Sequence, residues 1–214
     1  MKYKCIIFDC DGVLVDSEAI STQVLIEMAA SVGVSLQMEV VINEFSGRSL
    51  KSIFEYIQER AKNKLPESFE KDFRARTFEA FKKDLKPIDG VHELLHRLTV
   101  PFGVASSGPL NKIKLNLATT GLIDYFEGRI FSCYEIKSWK PDPGIYLHAA
   151  KEMGFLPNEC AVIEDSVFGI QAAKSGGFDV FGLANEHNKE ILEQEGVTIF
   201  YEMNALDKLL EDSL

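Results

Sequence analysis

Near the start of the chain, Phe8-Asp9-Cys10-Asp11-Gly12 puts two carboxylates two residues apart, directly after the apolar run Lys4–Phe8. Where a strand gives way to a loop, both can turn toward one site, and left unpaired they repel each other. A hard divalent cation with oxygen ligands, Mg2+ in particular, removes that conflict. One carboxylate can then act as a nucleophile while the other handles protons. The same residues also make an ordinary turn, in which Asp bonds its own backbone. On this stretch alone the two readings stand level.

Three further places offer chemistry, each with an everyday alternative. Ser106-Ser107-Gly108 presents hydroxyls and backbone N–H groups just before a helix, where a phosphate can be held; Ser106 can equally cap that helix. Lys140, in Trp139-Lys140-Pro141-Asp142-Pro143, sits in a proline-stiffened loop, where a fixed ammonium can neutralise an anion; it can also be a plain solvated lysine. Glu164-Asp165-Ser166 is a second acidic pair, able to complete a metal site or simply to favour the start of the following helix.

Elements must bring these places together. Apolar runs at Lys4–Phe8, Pro101–Ser106, Arg129–Ser132, Cys160–Glu164 and Asp179–Gly182 alternate with helical patterns at Pro109–Thr120, Pro143–Met153, Val167–Ser175 and Lys189–Gln194. That alternation predicts an α/β fold with a doubly wound, Rossmann-like parallel sheet, whose ligands bind at the carboxyl ends of the strands. Residues 17–85 break the pattern and read as helices only: Ser17–Val32, stopped by Gly33, then Glu39–Phe45, Leu50–Ala61 and Ser68–Lys83, the last with Phe69, Phe73 and Phe81 on one face. The expected domains are therefore a core of 1–16 and 86–214 and an inserted all-helical domain of 17–85.

Composition narrows the function classes. With 214 residues, 46% hydrophobic and 26% charged, the chain is an ordinary globular protein, not a disordered or fibrous one. Its net charge of −10 lies wholly outside Ser17–Lys86, a stretch that holds 11 basic and 11 acidic residues. Such a chain is repelled by a phosphate backbone, so no nucleic-acid partner is expected. The four cysteines form no C-x-x-C pair, which argues against a disulfide framework or a cysteine zinc site and fits the cytoplasm. The N-terminal apolar run is too short for a signal peptide or a span, so no membrane partner is expected. Cys10 is read as packing. His92-Glu93-Leu94-Leu95-His96 fits the H-E-x-x-H pattern of zinc proteases, but Val91, Leu94, Leu95 and Leu98 form the apolar face and no third ligand is evident. His92, Glu93, His96 and Arg97 are therefore expected on a solvated helix face.

In order, strand-D-x-D, strand-Ser, loop-Lys and strand-Glu-Asp resemble the haloacid dehalogenase superfamily, in its subgroup of phosphatases and β-phosphoglucomutases with a helical cap. The resemblance runs through FDCDGVLVDSE, ASSGP, WKPDP and IEDSVFGIQAAKSGG, essentially the whole chain. It implies that Asp9 is the nucleophile, forming an aspartyl-phosphate, and that Asp11 is the general acid and then the base. It further implies that Mg2+ is held by Asp9, the Asp11 backbone carbonyl and Asp165 with Glu164 nearby. Ser106 and Lys140 would complete the catalytic set, and Ser106, Ser107 and Lys140 would bind the phosphoryl group. The helical insertion would be a cap that closes over the site, with Arg48 in Gly47-Arg48-Ser49 reaching the substrate.

Relatives that act as mutases carry a histidine shortly after D-x-D-G. Ser17-Glu18-Ala19-Ile20-Ser21 has none, and Asp11 argues against a dehalogenase. SSGPLNKI, YEIKSWKPDP and NEHNKEI look closest to bacterial sugar-phosphate phosphatases acting on 6-phosphogluconate and similar acids. The expected activity is Mg2+-dependent hydrolysis of a small phosphorylated sugar or sugar acid by a monomer or weak oligomer. A β-phosphoglucomutase and a non-catalytic phosphometabolite-binding module are the alternatives.

Overall fold

The computed structural model describes residues 2–45 and 50–212. In chain order, β1 (Cys5–Phe8) is followed by α1 (Glu18–Ser31), α2 (Met38–Phe45), α3 (Leu50–Arg60) and α4 (Phe69–Asp84). Then come α5 (Val91–Arg97), β2 (Phe102–Ser106), α6 (Leu110–Thr119), β3 (Ile130–Ser132), α7 (Cys133–Ile136) and α8 (Gly144–Met153). The chain ends with β4 (Cys160–Glu164), α9 (Val167–Ser175), β5 (Asp179–Leu183), α10 (Lys189–Gln194), β6 (Thr198–Phe200) and α11 (Met203–Asp212). It divides into two compact units, Met1–Asp16 with Lys86–Leu214, and Ser17–Leu85.

The first unit is a six-stranded parallel sheet in the order β3-β2-β1-β4-β5-β6 with helices packed on it. Every residue of β1 and β4 is fully buried, which explains why both read as continuous apolar runs rather than alternating ones. The chain pairs β1 with β2 on one side and later with β4 on the other, so β1 marks the switch point at whose carboxyl end such sheets bind ligands. The second unit packs α1 to α4 around Val24, Leu25, Met28, Ile53, Ile57, Phe69 and Phe73. Phe54 meets Phe69 and Phe73 edge-on at 5.4 and 5.7 Å, a preferred aromatic geometry.

β6 and α11 were not expected from the sequence. β6 is a three-residue edge strand with one buried side chain, too short to show a period, and α11 follows it after two residues. The expected solvated face of α5 is corrected at His92, which is half-buried with Nε2 3.0 Å from the Thr120 carbonyl and its ring against Tyr125. That imidazole meets a carbonyl at the buried carboxyl end of α6, whereas Glu93 and His96 are exposed. Among the described residues no helix is long and apolar enough to cross a membrane.

Candidate active site

Strand register assembles the centre. Phe8 pairs with Ile163 and with Val104, and the Asp9 amide continues the ladder onto the Ile163 carbonyl at 2.9 Å. The next residue along β1 is Asp9 and along β4 is Glu164, so the two acids emerge side by side. Lys140, from the loop between α7 and α8, inserts between them, with Nζ 2.6 Å from Asp9 Oδ1 and 2.6 Å from Glu164 Oε1. Its side chain is 6% exposed, which removes the solvated-lysine reading. The loop is held by Asp142, whose Oδ1 accepts from Ser138 Oγ and the Gly144 amide.

Glu164 is wholly buried and fully engaged. Its Oε1 also accepts from the Tyr146 hydroxyl at 2.7 Å, and Oε2 accepts from the Asp165 amide, the Ser166 amide and Ser166 Oγ, each at 2.9 Å. The helix-start role belongs to Ser166, which caps α9 through the Gly169 amide. Position 169 must be glycine, because a Cβ there would collide with the Glu164 carboxylate. Asp165 is fixed from behind, since Asn188 Nδ2 donates to its carbonyl at 2.9 Å and to that of Leu183 at 3.1 Å. Gly12, with φ +80°, leaves room for the Asp165 carboxylate that any Cβ would fill.

Ser106 is buried at the end of β2, with Oγ accepting from the Gly108 amide at 3.0 Å. Pro109, not Ser106, occupies the cap position of α6, so the capping alternative falls. Ser107 is exposed, and Ser132 Oγ ties the loop down by donating to the Gly108 carbonyl. Asp11 turns its carboxylate to α6, where Lys112 Nζ lies 2.8 Å from Oδ2 and Asn116 Nδ2 lies 3.1 Å from Oδ1. Arg48 lies outside the described residues. Cys10 is fully buried.

The charges are strongly perturbed. Burial pushes the Asp9 carboxyl from 3.8 up to about 7, with Lys140 opposing and the Glu164 carboxylate adding to the rise. Burial would raise Glu164 as well, but Lys140 and Tyr146 outweigh it and hold that carboxyl below its ordinary value. Burial likewise disfavours the Lys140 ammonium, yet Asp9 and Glu164 together hold it well above the usual lysine range.

Asp9, Glu164 and Asp165 each offer an oxygen, and these atoms lie within 4.8 Å of one another. The Asp11 side chain is not in this cluster. Asp9 and Glu164 share one lysine, an excess of negative charge in a buried place, and with Asp165 beside them the all-oxygen donor set suits a hard divalent cation. The residues present therefore fit such an ion.

Lys112, Asn116, Tyr146 and Asn188 escaped the sequence reading. One signal was available: Ile113, Asn116, Leu117 and Thr120 share a helix face, and an asparagine within that apolar stripe marks a buried polar group in need of a partner.

The haloacid dehalogenase-like hydrolase family matches the chain over residues 6–183. A 6-phosphogluconate phosphatase of Escherichia coli is 35% identical over 210 residues, covering 97% of this chain and 95% of that protein. A phosphorylated carbohydrates phosphatase of Thermotoga maritima is 29% identical over 217 residues, covering 97% and 99%. The structure of a haloacid dehalogenase-like protein of unknown function from Agrobacterium tumefaciens superposes with a TM-score of 0.89 at 32% identity, covering 98% of each chain. The chain belongs to the haloacid dehalogenase-like hydrolase family.

Proposed function

We propose that this hydrolase is a Mg2+-dependent phosphatase of small phosphorylated sugars or sugar acids, of which 6-phosphogluconate is the leading candidate, and that it works through an aspartyl-phosphate on Asp9. The observation that carries the reading is the buried Asp9–Lys140–Glu164 triad beside Asp165. A nucleophilic carboxylate, a fixed ammonium and a cation site together meet the demands of phosphoryl transfer, which are positioning and charge stabilisation. The 6-phosphogluconate phosphatase relative supports the substrate class.

Asp9 and Asp165, with the Asp11 backbone carbonyl and with Glu164 beside them, would hold the Mg2+. Bound there, the ion offsets the negative charge of the phosphoryl group and of Asp9. Lys140 holds Asp9 Oδ1 and neutralises a phosphoryl oxygen, while Glu164 fixes Lys140 by sharing it. Ser106 Oγ accepts from the Gly108 amide and keeps its own proton to donate to the phosphoryl group. A carboxylate oxygen of Asp9 attacks phosphorus as the sugar oxygen leaves with a proton from Asp11. Asp11 then takes a proton from the water that attacks the aspartyl-phosphate, which releases inorganic phosphate and restores Asp9. Residues 17–85 are proposed as the unit that selects the substrate, with Arg48 as its candidate contact.

A screen of phosphorylated metabolites, read as kcat/KM for phosphate release, tests the reading. Phosphate release from sugar or sugar-acid phosphates that stops with EDTA and returns with Mg2+ is expected. Release indifferent to chelation would defeat the metal assignment, and conversion of β-glucose 1-phosphate to glucose 6-phosphate would replace hydrolysis with a mutase.

A further inference from the structure

Asp11 is the carboxylate that the metal-fitting cluster does not take up. Both of its oxygens meet α6, Oδ2 at Lys112 Nζ and Oδ1 at Asn116 Nδ2. Lys112 and Asn116 are four residues apart and so stand one above the other on a single helix face. Two donors on two oxygens fix the rotation of the carboxyl group as well as its position, which one contact cannot do. Asn116 is fully buried between the core residues Ile113 and Leu117, and among the described residues its Oδ1 has no hydrogen-bond partner. An apolar side chain would suit that place better, so its amide is tolerated for the bond it gives Asp11. Helix α6 also follows directly on Ser106-Ser107-Gly108, so a single rigid element carries this clamp and continues the proposed phosphate loop.

We propose that Lys112 and Asn116 are positioning residues that hold the Asp11 carboxyl group in place for proton exchange with the leaving alcohol. The inference rests on the acid/base role given to Asp11 above. Proton transfer requires the two heavy atoms to come within about 2.6–3.2 Å, so a carboxyl group free to rotate spends most of its time unproductive. The loss on removing the clamp must grow with the substrate's need for a proton. A sugar oxygen leaves poorly unless protonated, whereas p-nitrophenolate leaves without help.

The test compares kcat/KM for a sugar phosphate and for p-nitrophenyl phosphate with the full chain and Mg2+. This constant covers only steps up to alcohol departure and so excludes the later hydrolysis common to both substrates. Lys112→Met and Asn116→Ala are expected to lower the sugar-to-aryl ratio by about tenfold or more, within the reach of acid catalysis, and Lys112→Arg is expected to restore most of it. A purely structural role would lower both constants together and leave the ratio unchanged, which would overturn the inference. Asp11→Asn, measured alongside, separates the two levels. If Asp11→Asn shifts the ratio and the clamp variants do not, the clamp alone fails. If Asp11→Asn leaves the ratio unchanged, the acid role of Asp11 fails and the clamp with it. Should Lys112→Met prove unfolded by circular dichroism, Asn116→Ala decides by the same ratio.

Discussion

Burying Asp9 and Glu164 around one lysine leaves a negative charge uncompensated, and the protein holds that charge at the cost of stability. Because the folded value for Asp9 is raised from 3.8 to about 7, its contribution to stability is fully present below pH 3.8 and is lost as pH rises toward about 7. The loss is on the order of 4 kcal/mol for a shift of this size. Asp9→Asn should therefore melt higher than the parent protein at pH 8 without divalent metal, and the gap should close as pH falls toward 4. Lys140→Ala should do the opposite, costing about 3–5 kcal/mol by leaving two buried carboxylates unpaired. Both variants should lose turnover, so thermal melts across pH distinguish a nucleophile held under strain from a residue that merely supports the fold. A lower melting point for Asp9→Asn at pH 8 would contradict this electrostatic account. The types and spacing of Asp9, Ser106, Lys140, Glu164 and Asp165 were legible in the sequence because each ends a strand or sits in a proline-marked loop. That Glu164 spends both oxygens on protein donors was not legible, since Lys140 and Tyr146 reach it from 24 and 18 residues away.

At the scale of elements, the site depends on strand ends being locked to one another. Asn188, just before α10, ties the Asp165 carbonyl to that of Leu183 at the end of β5, and its own place is set by reciprocal bonds with Asn185. Partners of this kind, one step behind a ligand, are typically worth about 10–100-fold in metal affinity. Asn188→Ala is expected to weaken Mn2+ binding by that factor, read by electron paramagnetic resonance without substrate. Unchanged affinity would show that Asp165 is held by other means. The buried strands and their helices were visible as apolar runs and 3.6-residue periods. Strand order was not, because pairing β1 with both β2 and β4 is a long-range choice that no local pattern encodes. The polar face of α6 was hidden for a related reason: Lys112 and Asn116 acquire meaning only when β1 delivers Asp11 beside them.

On the scale of the whole molecule, charge and chemistry divide along the same boundary. The unit that holds Asp9, Asp11, Glu164 and Asp165 also carries −9 of the chain's net −10, while the helical unit, with 10 basic and 11 acidic residues, is nearly balanced. The phosphorylated substrate proposed above would meet a repulsive field around the site, which Lys140 and the proposed divalent cation would offset locally. The proposed reaction is split into two halves by a covalent intermediate, in which the leaving alcohol departs before water attacks. The most direct test of the central claim is to quench the protein in acid during steady turnover of a sugar phosphate and to map the phosphoryl group by peptide mass spectrometry. A phosphoryl adduct on Asp9 that neutral hydroxylamine removes, absent in Asp9→Asn, is the predicted result. Turnover with no adduct, or with the adduct on another residue, would contradict it.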